Sequence, residues 1–205
     1  MRIKSTLFCF ISILASTNYV FGTDIFVPTD YPTIQQALDA AVDGDHIYVQ
    51  PGVYYEHIDR TVTEMTISIT GLAGATQTII DGQHTDRAFY FDGNNSSTIS
   101  LTGLTFRNGY VSGEGPLGAG VSVGNARLLM DACVIEKNYG YIPNYSGWGG
   151  GLYWYKNNGG GELGPSRITR TIITGNKLYS TAGSNAYNTS GAGLFLDSGN
   201  LNETD

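Results

Sequence analysis

Apolar residues recur along this chain in two different patterns. Within residues 33–42 they fall at helical intervals, at Ile34, Ala37, Leu38 and Ala41. Pro32 precedes this segment and Gly44 follows it, as is usual at the two ends of a helix. After it, short apolar runs alternate with glycine- and asparagine-rich turns, at residues 47–49, 65–69, 78–80 and 88–91. The pattern therefore predicts one short helix followed only by β-strands.

Internal repeats favour a solenoid over a sandwich or a barrel. The pattern Gly-x-Gly-apolar-x-apolar occurs at residues 118–123, 149–154 and 191–196, with a degenerate copy at 89–91. Each repeat has an apolar face that it cannot bury alone. Stacking the repeats at about 4.8 Å covers that face and pairs the backbones in parallel. We therefore predict a parallel β-helix whose inward ladder includes Val121, Leu152 and Leu194.

Asparagines mark one corner of the predicted coils. Asn138 and Asn176 each follow an apolar residue by three positions, and a turn asparagine can bond backbone groups of the adjacent coil. In the related segment 104–109, Phe106 precedes Asn108 by only two positions. Gly109, rather than Asn108, is therefore predicted to occupy the turn position.

Strand alternation also predicts an outer surface. If Val121 points inward, its neighbour Ser122 points outward. The aligned repeats then give two outward rows, which are Tyr90, Ser122, Tyr153 and Phe195, and Asp92, Gly124, Tyr155 and Asp197. Sugar rings stack on aromatic faces, and carboxylates accept hydrogen bonds from hydroxyl groups. The candidate ligand-binding residues are Tyr90, Tyr153, Tyr155, Phe195 and Asp197, although such aromatics also suit strands that pack under loops.

Further aromatics fall between each turn and the next Gly-x-Gly, where we expect inserted loops. They are Tyr110, Tyr139, Tyr141, Tyr145, Trp148, Tyr179 and Tyr187. Insertions in solenoids often gather on one binding face, and tyrosine with serine, glycine and asparagine is typical of adaptable binding loops. The alternative is that these segments are solvated connectors.

The first 22 residues are predicted to be a signal peptide. Arg2 and Lys4 precede a short apolar stretch, and small residues follow at a suitable cleavage distance. Residues 23–205 then form one β-helix domain, secreted or at the cell surface, with no membrane span. A strand pattern recurs just before the last residues and no second cap is visible, so we expect the domain to be truncated at its C-terminus.

Charge and cysteine content exclude several classes of function. Removing residues 1–22 removes two of the 11 basic residues and none of the 18 acidic ones, so the net charge falls from −7 to −9. Such a surface repels nucleic acid and anionic membranes. Cys133 is then the only cysteine, which excludes a disulfide framework and favours a buried apolar role.

No metal-site spacing stands out in the sequence. Asp81, Asp86 and Asp92 lie close together along the chain, with Asn94 and Asn95 beyond them, and such oxygen ligands suit Ca²⁺. Their spacing matches no defined binding loop. We therefore predict no metal site and no cofactor, with Ca²⁺ as the one alternative.

Several motifs together resemble the right-handed parallel β-helix proteins of the pectin lyase-like superfamily. They are the start Tyr-Pro-Thr-Ile-Gln at residues 31–35, Pro-Gly-Val-Tyr at 51–54, Ile-Asp-Gly at 80–82 and the Gly-Gly-Gly-Leu coils. The resemblance covers nearly all of the chain from about residue 25. It implies an all-β, right-handed parallel β-helix (solenoid) with a short N-terminal capping helix. It does not choose among the lyases, esterases, hydrolases and adhesins that share this fold.

The catalytic signatures of these enzymes are not evident in the chain. The catalytic segments of pectin methylesterases and the Gly-His-Gly of polygalacturonases do not occur. Arg167 and Arg170 lie on a late coil without an acidic cluster on the same coil. We therefore expect a secreted or surface protein that binds polysaccharide without a complete catalytic site. The alternatives are a pectate lyase-like, polysaccharide-degrading enzyme and a structural or adhesin stalk.

Overall fold

The computed structural model describes residues 22–113, 118–142, 148–156, 164–180 and 192–197. This part of the chain contains one short helix and 17 strands, which form three parallel sheets and no closed barrel. The predicted signal peptide, the chain after residue 197, and the loop residues Tyr145 and Tyr187 lie outside the described residues.

The first sheet has nine strands, and α1 (Ile34–Ala40) lies between its first two in sequence. The strands are β1 (Asp24–Val27), β2 (His46–Val49), β4 (Ile58–Thr61), β5 (Thr66–Gly71), β7 (Phe89–Thr102), β10 (Val121–Asp131), β13 (Leu152–Tyr155), β14 (Arg167–Thr169) and β17 (Leu194–Asp197).

The other two sheets have five and three strands. The second sheet contains β3 (Gly52–Tyr54), β6 (Thr78–Asp81), β8 (Thr105–Arg107), β11 (Val134–Glu136) and β15 (Ile172–Thr174). The third sheet contains β9 (Tyr110–Ser112), β12 (Tyr139–Ile142) and β16 (Lys177–Ser180).

The chain passes through these sheets in turn and then returns to the first, so that each strand lies beside its counterpart from the preceding coil. Every strand pairing in the described ranges is parallel. Strands β7 and β10 each turn a corner, at Asn94–Asn95 and at Asn125, where the backbone has positive φ. The result is a solenoid-like, mostly β fold, which confirms the all-β parallel part of the prediction.

The predicted inward ladder has the predicted register. Val121 pairs with Leu152, which pairs with Leu194, and Phe89 pairs with Val121 on the other side. Val121 and Leu152 are fully buried, whereas Leu194 is 40% exposed. The expectation that Leu194 is buried is therefore wrong. Among the described strands β17 is the outer one of this row, so no further described strand lies against it.

An asparagine ladder fixes the corner between the second and third sheets. Oδ1 of Asn138 accepts from the Gly109 amide at 2.7 Å, and its Nδ2 donates to the Phe106 carbonyl at 3.2 Å. Asn176 makes the equivalent bonds one coil later, to the Asn138 amide at 3.1 Å and the Ile135 carbonyl at 2.9 Å. Gly109 thus occupies the turn position, as predicted.

The second glycine of the first two Gly-x-Gly repeats, Gly120 and Gly151, makes room for this ladder. A Cβ on Gly120 would lie 2.4 Å from Nδ2 of Asn138, and one on Gly151 would lie 2.6 Å from Nδ2 of Asn176. Real side chains do not approach so closely, because such distances lie inside the repulsive part of the van der Waals contact. The repeat therefore encodes a contact between consecutive coils.

The helix packs against the first sheet near its N-terminal edge. Thr33 caps it by accepting from the Gln36 amide, and the Glu56 carboxylate accepts from the amides of Ile34 and Gln35 at 3.1 and 2.9 Å. Its apolar stripe is buried against β1, β2 and β4. The helix has seven residues and spans about 10 Å. Nowhere in the described ranges is a helix long and apolar enough to cross a membrane.

Cys133 is buried, as predicted for an apolar role. It is 1% exposed, and its Sγ lies 3.4 Å from the Leu101 carbonyl oxygen. Burial raises the pKa of the Cys133 thiol to about 11. The thiol is therefore protonated and unreactive as a nucleophile at neutral pH.

Candidate functional site

The first outward row exists in the predicted register but is mostly covered. Tyr90 pairs with Ser122, Ser122 with Tyr153, and Tyr153 with Phe195. Tyr90 and Phe195 are half-buried, Tyr153 is 7% exposed and Ser122 is fully buried. The expectation of an exposed aromatic row is therefore wrong at its centre.

Neighbouring aromatic rings cover Tyr153. The ring of Phe195 stacks on it with centroids 5.6 Å apart and planes within 8°, and the ring of Tyr155 packs at 5.4 Å. Trp148 in turn approaches Phe195 at 5.8 Å. A sugar ring could stack on Tyr153 only by displacing one of these neighbours.

The second outward row contains a hydrogen-bonded cluster around Asp92. Asp92, Gly124, Tyr155 and Asp197 are in the predicted register. The side chain of Asp197 lies outside the described part. The Tyr155 hydroxyl donates to Oδ2 of Asp92 at 3.0 Å, and Nδ2 of Asn125 donates to Oδ1 at 3.1 Å. The hydroxyl of Tyr90 lies 3.4 Å from Oδ2.

Gly124 makes this cluster possible. A Cβ on Gly124 would lie 2.6 Å from Cε1 of Tyr155, so the tyrosine ring lies directly over the glycine. The ring therefore spans the coil between Tyr155 and Asp92. Two of the predicted ligand-binding residues, Tyr90 and Tyr155, meet at Asp92. The sequence placed Asp92 in the outward row of Tyr155 but did not predict it as a binding residue.

Burial and the nearby carboxylate keep both phenols protonated. Burial, the hydrogen bond to Asp92 and the charge of Asp92 raise the pKa of Tyr155 to about 12. Burial and Asp92 also raise the pKa of Tyr90. At neutral pH both tyrosines act as hydrogen-bond donors and neither acts as a base.

Charged residues that sequence reasoning missed extend the cluster, one from the preceding coil and one from just before β7. In β4, Asp59 pairs with Tyr90 and Thr61 pairs with Asp92. The guanidinium of Arg87 lies 5.4 Å above the Tyr90 ring, which is a cation–π geometry. The alternating residues 58–62 could have indicated strand β4, but their aspartate and arginine obscure the apolar pattern.

An open groove of about 820 Å³ adjoins the cluster. Its lining includes Asp92 and Asn125 of the cluster together with Arg60, Glu64 and Asp43. The Nη1 atom of Arg60 lies 3.4 Å from the Asp39 carboxylate, whereas its Nε is buried without a hydrogen-bond partner. The groove thus presents three carboxylates, one guanidinium and two amides, those of Asn94 and Asn125, beside the tyrosine cluster.

The three aspartates considered for Ca²⁺ take separate roles. Asp81 accepts from Nε of Arg107 at 2.8 Å and from Asn108, in the second sheet. Asp86 accepts from the Arg87 amide, and Asp92 belongs to the tyrosine cluster. The described ranges contain no group of three or more histidine, cysteine, aspartate or glutamate residues that could hold a metal ion.

Several aromatics expected in loops lie on strands instead. Tyr110, Tyr139, Tyr141 and Tyr179 belong to the third sheet, which sequence reasoning did not predict. Tyr110 stacks on Tyr139 and Tyr141 stacks on Tyr179, each pair with centroids 5.9 Å apart. The alternation Tyr-Gly-Tyr-Ile at residues 139–142 was the available signal, although the glycine weakens it as a strand pattern.

Arg170 is held by a carboxylate from the neighbouring coil. Its Nε donates to Oδ1 of Asp131 at 2.9 Å, and its Nη2 contacts Oδ2 of the same carboxylate. The hydrogen bonds from Arg170 and Thr169 lower the pKa of Asp131 to about 2. Arg170 is therefore already engaged in an ion pair.

Comparisons with known proteins add no assignment to this geometry. No protein-family model, no curated protein and no solved structure matches the chain.

Proposed function

We propose that this chain is a secreted or cell-surface protein whose outer face binds polysaccharide, on a right-handed parallel β-helix of the pectin lyase-like superfamily. Parallel coils that return to the same sheets support the superfamily fold. A right-handed winding is the hand that parallel connections almost always take. The basic and then apolar pattern of residues 1–22 supports export.

The observation that carries the proposal is the cluster of Tyr90, Asp92, Asn125 and Tyr155 beside the 820 Å³ groove. A polysaccharide presents many hydroxyl groups and weakly polar ring faces. The cluster presents a carboxylate acceptor and an amide to an open groove, with the half-buried rings of Tyr90 and Tyr155 next to that carboxylate. This combination suits a ligand that needs both hydrogen bonds and ring contacts.

The revised binding residues are therefore the members of this cluster, with Phe195 at the end of the adjoining row. Tyr153 supports them from beneath, because its ring is covered by Phe195 and Tyr155. Asp197 remains a proposed binding residue from its register alone.

Binding to immobilised neutral and uronic-acid polysaccharides, with and without Ca²⁺, tests the proposal. Asp92→Asn with Tyr90→Ala should weaken binding about tenfold, since it removes a charged acceptor and an aromatic face. Tyr55→Ala is the matched control, because Tyr55 is 64% exposed and lies outside the cluster. Equal binding by the folded double variant and the wild type would remove the cluster from the proposal. A folded protein that binds no glycan would favour the stalk.

A second candidate is a pectate lyase-like, polysaccharide-degrading enzyme. The groove favours it because Asp43, Glu64 and Asp92 line the same space as Arg60. A carboxylate beside a bound uronide could take the C5 proton as the glycosidic C4–O bond breaks, with water protonating the leaving oxygen, while the Arg60 guanidinium offsets the negative charge of the uronide. We would incubate the protein with polygalacturonate and follow the ultraviolet absorbance of unsaturated uronides.

The enzyme candidate predicts that Arg60→Gln abolishes this absorbance change, whereas Arg127→Gln retains it. The Nε of Arg127 donates to the Pro165 carbonyl, away from the groove lining. No rise in absorbance with the wild-type protein would leave binding as the proposed function.

A further inference from the structure

A second groove lies at the corner between the second and third sheets. It has a volume of about 480 Å³ and lies around the asparagine corner. Its lining includes Tyr110, Lys137, Asn138, Tyr139 and Lys177. Strand register places Tyr110 beside Tyr139 and Tyr139 beside Lys177, so three consecutive coils contribute to one row.

This second groove concentrates positive charge on an acidic protein. Two lysines line it, and no carboxylate does, although the chain carries a net charge of −7. In the described part of the chain, Lys177 has no carboxylate within 4.0 Å. Lys137 lies 3.6 Å from Glu136, and 67% of its side chain is exposed. The two ammonium groups therefore place positive charge in this groove on a protein of negative net charge, which favours an anion there.

Two tyrosine rings form one wall of the second groove. The rings of Tyr110 and Tyr139 lie within 7° of parallel, with centroids 5.9 Å apart, and both residues are half-buried. Tyr141 lies two positions along β12 from Tyr139 and therefore on the same face. It stacks on Tyr179 within 11°. Aromatic rings thus flank the cations along the third sheet.

The cations of this groove are lysines, and this indicates which anionic groups it can bind. A guanidinium recognises the planar geometry of a carboxylate through two parallel hydrogen bonds, whereas an ammonium group acts as a point charge. The second groove contains lysines and no arginine. It should therefore respond to the charge of a substituent more than to its shape, and a ring can rest against the tyrosines.

We propose that this second groove binds the anionic group of an acidic glycan, a sulfate ester or a carboxylate, while the sugar ring contacts Tyr110 and Tyr139. The site is separate from the Asp92 cluster. This proposal rests on the proposed function in one respect only, which is that the ligand is a glycan.

Calorimetric titration of the folded protein with dextran sulfate, polygalacturonate and neutral dextran tests this proposal. Lys137→Gln with Lys177→Gln should weaken binding of the charged glycans about three- to tenfold, as expected for two exposed ion contacts. It should also reduce the salt dependence of that binding. Lys156→Gln with Arg167→Gln removes the same net charge away from this groove and is the matched control. Tyr110→Ala with Tyr139→Ala should weaken binding at unchanged salt dependence.

The two arms of the titration separate the sources of the anion, since dextran sulfate carries sulfate esters and polygalacturonate carries carboxylates. Equal losses in the two charge-matched variants would overturn the proposal, because net charge alone would then explain the binding. Equally tight binding of a short single-stranded DNA would also overturn it. If Asp92→Asn removes binding of the charged glycans and the lysine variant does not, this proposal fails and the proposed function stands. If no glycan binds the wild type, both fail.

Discussion

Tyr155 and Asp92 are 63 positions apart in the chain, yet the hydroxyl of Tyr155 donates to Oδ2 of Asp92 at 3.0 Å. The contact crosses a whole coil, because Gly124 leaves the space that the tyrosine ring fills. A residue without a side chain thus determines which functional groups meet at the edge of the 820 Å³ groove.

Gly124→Ala should separate Tyr155 from Asp92 without disrupting the strand. The new methyl group would lie 2.6 Å from the ring, so the flexible tyrosine must move. The pKa of Tyr155 should then fall from about 12 towards the ordinary value of 10.0, because the ring loses both its burial and the contact with Asp92. Phenolate absorbance as a difference spectrum against Tyr155→Phe measures this change.

Asp92→Asn is the informative companion to this variant. It removes the negative charge but leaves the ring buried, so the pKa of Tyr155 should fall less than in Gly124→Ala. An unchanged pKa in both variants would show that Tyr155 does not lie over Gly124 in solution.

Asn138→Ala should destabilise the fold by about 2 kcal/mol or more. It leaves the Gly109 amide and the Phe106 carbonyl buried without a hydrogen-bond partner. The free energy of unfolding falls because these groups lose their hydration on folding and no hydrogen bond compensates for that loss. Urea unfolding followed by circular dichroism gives the free energy. Asn176→Ala should cost less, because Asn176 is only partly buried. A larger loss for Asn176→Ala than for Asn138→Ala would contradict this ranking.

Ile135→Asp should destabilise the protein by at least about 3 kcal/mol, since it places an unpaired carboxyl in the core. Ile135 is fully buried, and it pairs with Ile173, which is only partly buried. Ile173→Asp should therefore cost less than Ile135→Asp, while remaining destabilising. Melting temperatures of the two variants compare them directly. If Ile173→Asp has the same melting temperature as the wild type, the side chain of Ile173 does not point inward from β15.

Stability should fall in acid partly through Asp81. Burial opposes ionisation of this carboxyl, but hydrogen bonds from Arg107, the Gln83 amide and Asn108 outweigh it and lower the pKa of Asp81 below 3.8. The unfolded chain then binds the proton more readily, so the contribution is present above about pH 3.8 and is lost as pH falls through the folded-state value. Asp81→Asn should therefore unfold with a shallower dependence on acid pH.

The control for this titration is Asp24→Asn, which removes the same charge from an exposed position. It should retain the slope of the wild type in urea unfolding measured across the acid range. An equal slope in Asp81→Asn and the wild type would show that the ion pair with Arg107 contributes little in solution.

The sequence by itself determined the strands and their register where apolar alternation is strong. Val121, Leu152 and Leu194 align as their repeats predict, because shifting a strand by one residue would turn its apolar side chains outward. The helix at residues 34–40 was predictable for the same reason, since its stripe and its flanking proline and glycine agree. The turn position of Gly109 followed from spacing alone.

Only the tertiary structure decided which outward residues are accessible and which meet. Alternation assigns Tyr153 to the outer face, but the stacking of Phe195 on it depends on side-chain packing between coils, which strand periodicity does not encode. The Asp92 cluster depends on the absence of a side chain at Gly124, and the pairing of Asp59 with Tyr90 depends on coil stacking. Burial and contact across coils arise from how the coils stack, so they appear only once the chain is folded.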